Sequence, residues 1–384
     1  ALGGALVLGA AGRLRRKLSV PNSVILAIGL VILANSRPYE GFLYSVPILI
    51  ALLLWTRRER LAATVKTLVA PAALVLALVG SFMLYYNWRG TGNALLMPYK
   101  VNEKQYHITN MFLWQQRSPV PLYDHEIMRK FYVYHELADY VRLHSGLDGL
   151  YYVLSTKLAV YYGFFIWPLL LLFLPTCWIL LKSPKRRLFP IVLLIELAGL
   201  LVILWPPQAQ YPAPIVGLVV ALALLGLRLL RTWRPRGLRI GLAASRAVML
   251  VMLGWLLFVS AREIVNPYHL DDDFPRAQPG IERDRIESEL DHKPGRQLLF
   301  VKERRTHNPH DEWVYNGANI DAQKIVWARD MGPEKDAQLL QYYPDRHAWI
   351  VDQDDGIRRL TDYDSRPSLA WSALAMKMVH QRAN

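Results

Sequence analysis

Cysteine is almost missing from this chain of 384 residues: the single one, Cys177, lies inside an apolar run. One thiol forms neither an internal disulfide nor a cysteine-based metal site. No glycine-rich phosphate loop follows a predicted strand, which argues against a nucleotide site. Basic stretches interleaved with aromatic residues are missing too, and we therefore expect no nucleic-acid partner.

Acidic residues are scarce, with 31 Asp and Glu against 45 Lys and Arg. Seventeen of the basic residues lie in four connections between apolar runs, at residues 12–17, 56–66, 182–187 and 228–239. The alternate connections, 35–41 and 205–214, contain one basic residue between them, Arg37. This bias orients membrane helices with their basic loops on the cytoplasmic side. It predicts a polytopic α-helical membrane protein whose long polar segments lie on the outer face.

The apolar runs predict about eight membrane segments within a transmembrane domain at residues 1–261, interrupted by a long outer loop at 87–159. Residues 1–11 cover about 16 Å, roughly half of a hydrocarbon core, and the chain starts with Ala. We therefore expect it to be the C-terminal part of a longer protein. The runs 20–35 and 42–55 are short, so they are either tilted spans or a re-entrant hairpin. The other predicted spans are 65–86, 160–181, 188–205, 213–230 and 241–261. Residues 127–143 have the pattern of an amphipathic helix on the membrane surface.

Residues 262–384 read as a C-terminal extracytoplasmic α/β domain. Strands are predicted at 297–301, 324–328 and 348–351, and helices at 281–290, 335–342 and 368–381. The strand-helix-strand order over residues 324–351 implies a parallel pair joined by a crossover helix.

Charged residues beside the membrane supply the first candidate site. Arg37, Tyr39 and Glu40 occupy the turn between the two short apolar runs. A guanidinium offers charged, bidentate donors that suit a phosphate or diphosphate. The alternative is an ordinary ion pair in a loop at the water interface. Glu196, the one acid deep in an apolar run, has either a helix-packing role or a proton or sugar role.

The outer loop supplies further candidates. Asp124 and His125 are adjacent, and carboxylate beside imidazole suits acid–base work or a divalent cation. Their spacing matches no metal signature, so a solvated loop is the alternative, as it is for His107. Arg89, in a predicted turn at 87–93, either contacts a lipid phosphate or extends along the interface. The tail motifs at 271–273 and 307–313 read as a linker and a structural loop.

The segment ANSRPYEG at residues 34–41 resembles the Arg-Pro turn of the GT-C superfamily, membrane glycosyltransferases that use polyprenyl-phosphate sugars. The turn QAQYPAP at 208–214, with Gln210 and Tyr211, resembles their His-Tyr-x-x-Pro outer turn, and glutamine in place of histidine weakens an acid–base role there. The resemblance covers residues 1–261. It implies a polyprenyl-phosphate-sugar donor in the membrane lipid, a glycan or protein acceptor, and no cofactor, with a divalent cation as an option. The catalytic carboxylate would lie in the first outer loop, upstream of Ala1.

The expected location is a bacterial inner membrane, with the C-terminal domain in the periplasm or outside the cell. A non-enzymatic assembly or sensor subunit with a partner-binding outer domain is the competing class, and a transporter is a third. A cavity lined by Arg37 and Glu40 and reached from the lipid would favour the enzyme. A helix bundle packed shut at that point would favour the partner-binding subunit.

Overall fold

The computed structural model describes residues 1–384 except 58, 166–169, 184–185, 205–207, 209, 266–278, 305–306, 309–310, 356–357 and 364–384. The chain divides into two compact units. The first contains Ala1–Leu122 and Tyr132–Arg262 and is helical. The second contains Glu263–Asn384 together with the short segment Tyr123–Phe131. The expected helix at 368–381 and the acidic run at 271–273 lie outside the described residues.

The helices of the first unit follow the apolar runs. In chain order they are α1 Leu2–Leu14, α2 Val20–Ser36, α3 Pro38–Thr56, α4 Leu61–Thr91, α5 Pro98–Tyr106, α6 Leu137–Leu143, α7 Leu147–Tyr152, α8 Leu158–Phe165, α9 Leu170–Leu181, α10 Leu188–Leu201, α11 Val216–Thr232 and α12 Ile240–Val265. Helical turns at Glu126–Lys130 and Phe131–Glu136 lead into α6, so the helix expected at 127–143 is present.

Four helices in the described part of the chain are long and apolar enough to cross a membrane, namely α3, α4, the segment Ala213–Thr232 that contains α11, and the Ile240–Arg262 part of α12. Three other apolar helices, α1, α2 and α10, have 13, 17 and 14 residues. The run at 160–181 is described as α8 and α9, on either side of the undescribed residues 166–169. The eight membrane segments therefore stay a prediction.

Proline and glycine mark the end of α2, the start of α3 and the end of α4. Pro38 disfavours a helical conformation at Arg37, which has φ −145° and ψ 77° and separates α2 from α3. The predicted turn at 87–93 is wrong in its extent, because α4 continues to Thr91. Its end is at Gly92, whose φ of 75° suits glycine and whose N–H donates to the Trp88 carbonyl at 2.9 Å.

Close backbone approaches connect α1 to the rest of its unit. A Cβ on Gly4 would lie 1.9 Å from the Pro214 carbonyl oxygen, so only glycine fits this contact. The buried Tyr44 hydroxyl of α3 donates to the Gly4 carbonyl oxygen at 3.0 Å. Leucine, valine and isoleucine side chains from α1, α2, α3, α10 and α11 form the core around these contacts.

The second unit is a four-stranded sheet with helices. Its elements are α13 Pro279–Asp291, β1 Arg296–Lys302, β2 Ile325–Arg329, α14 Pro333–Tyr342, β3 Arg346–Asp352 and β4 Thr361–Asp362. The order β2-β1-β3-β4 places β1 between β2 and β3 and parallel to both. The parallel direction of β2 and β3 was predicted correctly, but these strands do not pair with each other. Strand β4 is antiparallel to β3.

The apolar run of β1 has packing partners on both of its faces. Leu298 and Phe300 pack towards α14, while Leu299 and Val301 pack with α13 and Trp313. Successive strand residues point to opposite faces, and a continuous apolar run is typical of a strand covered on both sides. The second unit thus has its own core on each side of the sheet.

Candidate functional site

A cavity of about 670 Å³ lies in the first unit between α2, the start of α3, α4 and α5. Its polar wall contains Asn35, Ser36, Arg37, Glu40, Asn87, Tyr99, Lys100, Glu103 and Tyr211. Its apolar wall contains Val31, Ala34, Leu76, Val79, Gly80, Met83, Met97, Met111 and Ile203. The helices are therefore not packed shut at the Arg37 turn.

Arg37 is held at the cavity by the break between two helices. Its N–H donates to the Leu33 carbonyl at 2.9 Å, and its own carbonyl accepts from the Gly41 N–H at 2.7 Å. Gly41 lies so close to Leu33 that a Cβ there would be 2.7 Å from the Leu33 Cβ. The Arg-Pro-x-x-Gly spacing therefore gives a tight reversal with a fixed arginine at its apex.

The charge of Arg37 is balanced loosely. Its guanidinium lies 3.8 Å from the Glu40 carboxylate, beyond the 2.7–2.9 Å usual for a charge-assisted hydrogen bond. It also lies 4.4 Å from the centroid of the Tyr211 ring, which is cation–π geometry. Glu40 is buried, in the first turn of α3, where a negative charge is favourable. These contacts orient the guanidinium towards Glu40 and Tyr211.

Tyr39 and Gln210 differ in their relation to the cavity. Tyr39 contributes to the cavity wall and donates a hydrogen bond to the Gly199 carbonyl of α10 at 3.1 Å. Gln210 is exposed, donates to the Gln208 side chain, and does not line the cavity. Of the two residues singled out in the turn at 208–214, only Tyr211 is a cavity residue.

A second cation at the cavity was missed by the sequence analysis. Pro98 starts α5, and this helix directs Lys100 and Glu103 to the cavity. Their charged atoms are 2.5 Å apart. A Lys and Glu three residues apart behind a proline is a recognisable signal for a helix with an ion pair. Nothing local in the sequence indicates that this pair lines the same cavity as Arg37.

The Glu136 carboxylate anchors the segment that follows α5. Its Oε1 accepts hydrogen bonds from the Thr109 N–H at 2.8 Å and from the Thr109 hydroxyl, and lies 3.2 Å from His107 Nδ1. Burial alone would raise the pKa of Glu136, but the bonds from His107 and Thr109 outweigh burial and lower it. Two residues on, Met111 lines the cavity, so this anchor supports one cavity wall.

Two other buried polar groups lie near the cavity wall. Both carboxylate oxygens of Glu196 are buried and have no hydrogen-bond partner among the described residues. Lys157 is also buried, and its ammonium binds the carbonyl of Ile203 and lies 3.4 Å from that of Leu200. A lysine ammonium beside the C-terminus of a helix such as α10 binds backbone carbonyls that have no hydrogen-bond donor within the helix.

The remaining candidates lie away from the cavity. Arg89 is exposed in the last turn of α4 and does not line it. Asp124 and His125 belong to the second unit, where Asp124 pairs with Lys335 at 3.3 Å and His125 Nε2 lies 3.7 Å from Glu303 Oε2. Desolvation chiefly lowers the pKa of His125. Asp124 is an exposed loop residue, as the solvated-loop alternative expected, whereas His125 is partly buried.

Metal binding receives no geometric support within the described ranges, where no three His, Cys, Asp or Glu side chains are arranged to hold an ion. In the tail motif at 307–313, His307 is buried and its Nδ1 lies 2.9 Å from Asp354. Residues 309 and 310 of that motif lie outside the described residues.

No protein-family model, curated protein or solved structure matches this chain. Its function is therefore inferred from its own residues and from the cavity.

Proposed function

We propose that the protein is a membrane glycosyltransferase of the GT-C type, which moves a sugar from a polyprenyl-phosphate donor to a glycan or protein acceptor. The observation that carries this proposal is the cavity: a fixed arginine and a lysine share it with an apolar wall formed by two apolar helices. A phosphate attached to a long hydrocarbon chain likewise has a charged part and an apolar part. The resemblance of residues 34–41, which include the same arginine, to the Arg-Pro turn is a further support.

In the proposed reaction an acceptor hydroxyl oxygen forms a bond to the anomeric carbon of the donor sugar. The bond between that carbon and the phosphate oxygen breaks, and the phosphate leaves with the electron pair. Arg37 stabilises the charge that develops on the leaving group, a contribution that is often worth several kcal/mol in enzymes, about 3 for one donor. The hydroxyl proton passes to a carboxylate base, which the family resemblance expects in the first outer loop.

The proposal includes the sidedness inferred from the basic loops. We place the Arg37 turn, the loop at 87–159 and the C-terminal unit on the outer face of a bacterial inner membrane, with about eight membrane segments. This arrangement would bring the cavity to the leaflet from which lipid-linked sugars are used. Labelling of single cysteines from outside tests it: Asp345→Cys should react in intact cells and Lys182→Cys should not.

The activity is tested with full-length protein in its native membranes and a panel of polyprenyl-phosphate hexoses and pentoses. Mass spectrometry measures the release of free polyprenyl phosphate. Arg37→Ala should reduce release at least a hundredfold at equal expression. Arg117→Ala, which removes an exposed arginine from the loop, is the matched control and should leave release unchanged. If no donor is consumed, or if Arg37→Ala turns over normally, the proposal is wrong.

The alternative function is a non-enzymatic subunit whose outer domain binds a partner. The second unit favours it, because this unit has a sheet with a core on each side and no assigned chemistry. The same experiment separates the two classes. A subunit that only binds a partner would tolerate Arg37→Ala, because that residue lies in the first unit.

A further inference from the structure

A second cavity, of about 330 Å³, lies in the first unit between α1, α3 and the start of α10. A volume of this size is within the range of about 300–1,000 Å³ that is typical of small-molecule sites. Trp55, which lines it, is in the last turn of α3, whereas Arg37 directly precedes that helix. At 1.5 Å per residue these two residues are about 27 Å apart along α3. The second cavity is therefore separate from the one at Arg37.

Two arginines form the charged side of this second cavity. Arg15 directly follows α1, and Arg16 comes next in a tight turn, in which the Arg16 N–H donates to the Arg13 carbonyl at 3.0 Å. The Arg15 guanidinium lies 4.4 Å from the centroid of the Trp55 ring, which is cation–π geometry. No acidic side chain is among the described residues that line the cavity. The charged side therefore attracts an anion, and guanidinium groups suit phosphate oxygens in particular.

The helix ends around this cavity adjoin three of the four basic connections. These are 12–17 after α1, 56–66 at the end of α3, and 182–187 before α10. Together they contain twelve Lys and Arg and a single acid, Glu59. Charges of one sign around a cleft raise the local concentration of the opposite ion, so this end of the helices favours an anionic ligand.

Apolar side chains form the other side of the cavity. Ile48 of α3 and Phe189 of α10 line it together with Trp55. Leu53 and Leu54, in the same turn of α3 as Trp55, are exposed. Because α3 is long and apolar enough to cross a membrane, these leucines would contact hydrocarbon there. Tryptophan is frequent at the level of the lipid headgroups, and basic pockets between membrane helices bind anionic headgroups.

We propose that the second cavity binds the headgroup of one anionic phospholipid of the surrounding membrane. Arg15 and Arg16 hold its phosphodiester, and its acyl chains lie along the exposed side of α3. The bound lipid joins the ends of α1, α3 and α10 and so stabilises the first unit. A zwitterionic headgroup has a compensating positive charge and fits the two arginines less well. A soluble phosphate has no acyl chains to contact α3. This site goes beyond the proposed transferase activity and does not depend on it.

The test is native mass spectrometry of full-length protein in detergent with dioleoyl phosphatidylglycerol or dioleoyl phosphatidylcholine. The wild type should retain one phosphatidylglycerol, at least tenfold more tightly than phosphatidylcholine. Replacing both Arg15 and Arg16 with Gln should weaken phosphatidylglycerol binding at least tenfold. Replacing Arg13 and Lys17 with Gln is the matched control, because these exposed residues carry the same charge in the same connection but do not line the cavity. The control pair should change binding less than twofold.

Thermal unfolding gives a second readout, since a ligand that binds the folded state stabilises it. Phosphatidylglycerol should raise the unfolding temperature of the wild type more than phosphatidylcholine does, and this difference should vanish in the Arg15 and Arg16 double variant. If the double variant does not fold, Arg16→Gln alone should weaken phosphatidylglycerol binding at least threefold, with Lys17→Gln as its control.

Several outcomes would overturn the proposal. Equal weakening in the two pairs of variants would show a general attraction of lipid to the basic connection. Equal retention of the two lipids would show that the cavity does not select an anion. Inorganic phosphate, titrated by phosphorus NMR, should bind far more weakly than the lipid, and equal affinity would indicate a site for a soluble anion. Arg37→Ala should leave phosphatidylglycerol binding unchanged, and its loss would place the lipid in the first cavity instead.

Discussion

The hydrogen bonds to Glu136 make a prediction whose size follows from the structure. Replacing Glu136 with Ala removes the acceptor of the Thr109 N–H, the Thr109 hydroxyl and the His107 ring. Hydrogen bonds to an ionised group contribute about 1.5–3 kcal/mol each, and bonds that share one acceptor are not additive. We take about 3 kcal/mol for the set, which corresponds to roughly a hundredfold change in an equilibrium constant.

Hydrogen exchange of the Thr109 amide reports this change directly. In Glu136→Ala the amide should exchange about a hundredfold faster, because local opening costs about 3 kcal/mol less. Glu136→Gln keeps a neutral acceptor and should give a smaller increase, about tenfold. Glu126→Gln is the control: Glu126 is exposed and pairs only loosely with Arg129, so Thr109 should be unaffected.

The pH dependence of the same amide has a definite sign. The folded state lowers the pKa of Glu136, so the anchor is fully present above the ordinary glutamate pKa of about 4.3. Its contribution is lost as the pH falls through the lower, folded value. Unchanged exchange at Thr109 in both Glu136 variants would refute the anchor and its support of the cavity wall.

Two further predictions concern packing and pH. Gly4→Ala should destabilise the protein by about 1–3 kcal/mol, because its Cβ would overlap the Pro214 carbonyl, whereas Gly12→Ala, with no atom within 4 Å, should not; thermal unfolding in detergent measures the difference. Burial lowers the pKa of His125, so the folded second unit favours the neutral ring. Protection of the amides in residues 123–131 should be greatest above about pH 6.5 and fall below it, and His125→Gln should remove this dependence; constant protection in the wild type would contradict it.

The parts predicted correctly from the sequence depend on local chemistry. Pro38 stops α2 and starts α3 whatever lies around it, so the turn at Arg37 is visible in the sequence. The strands of the second unit were predicted correctly because a short, unbroken apolar run flanked by polar residues is typical of a buried strand. The end of α4 was predicted too early, because the polarity of Asn87 and Arg89 suggested a turn. Polarity does not end a helix, and the backbone continues until Gly92 adopts a left-handed conformation.

Which distant segments pair or pack with each other could not be predicted from local sequence. The strand-helix-strand order gives parallel direction. Because β1, β2 and β3 all have apolar partners on both faces of the sheet, the apolar runs do not indicate that β1 lies between the other two. His125 was expected in the outer loop, either as an acid–base candidate or as a solvated residue, and its Nε2 lies 3.7 Å from Glu303 Oε2 in the second unit. Adjacent charged residues in a loop have no periodicity, so nothing in their spacing identifies the element they contact.

The cavity is the clearest case of a feature that no single segment encodes. Arg37 is recognisable as a candidate because an arginine beside a membrane has a cost that function commonly explains. Lys100 has no such cost, since α5 is a polar helix, and it becomes notable only because α5 lines the same cavity. Gly80 is still less conspicuous, because glycine is frequent in membrane helices. The cavity is an empty volume, and an empty volume is a property of four helices together.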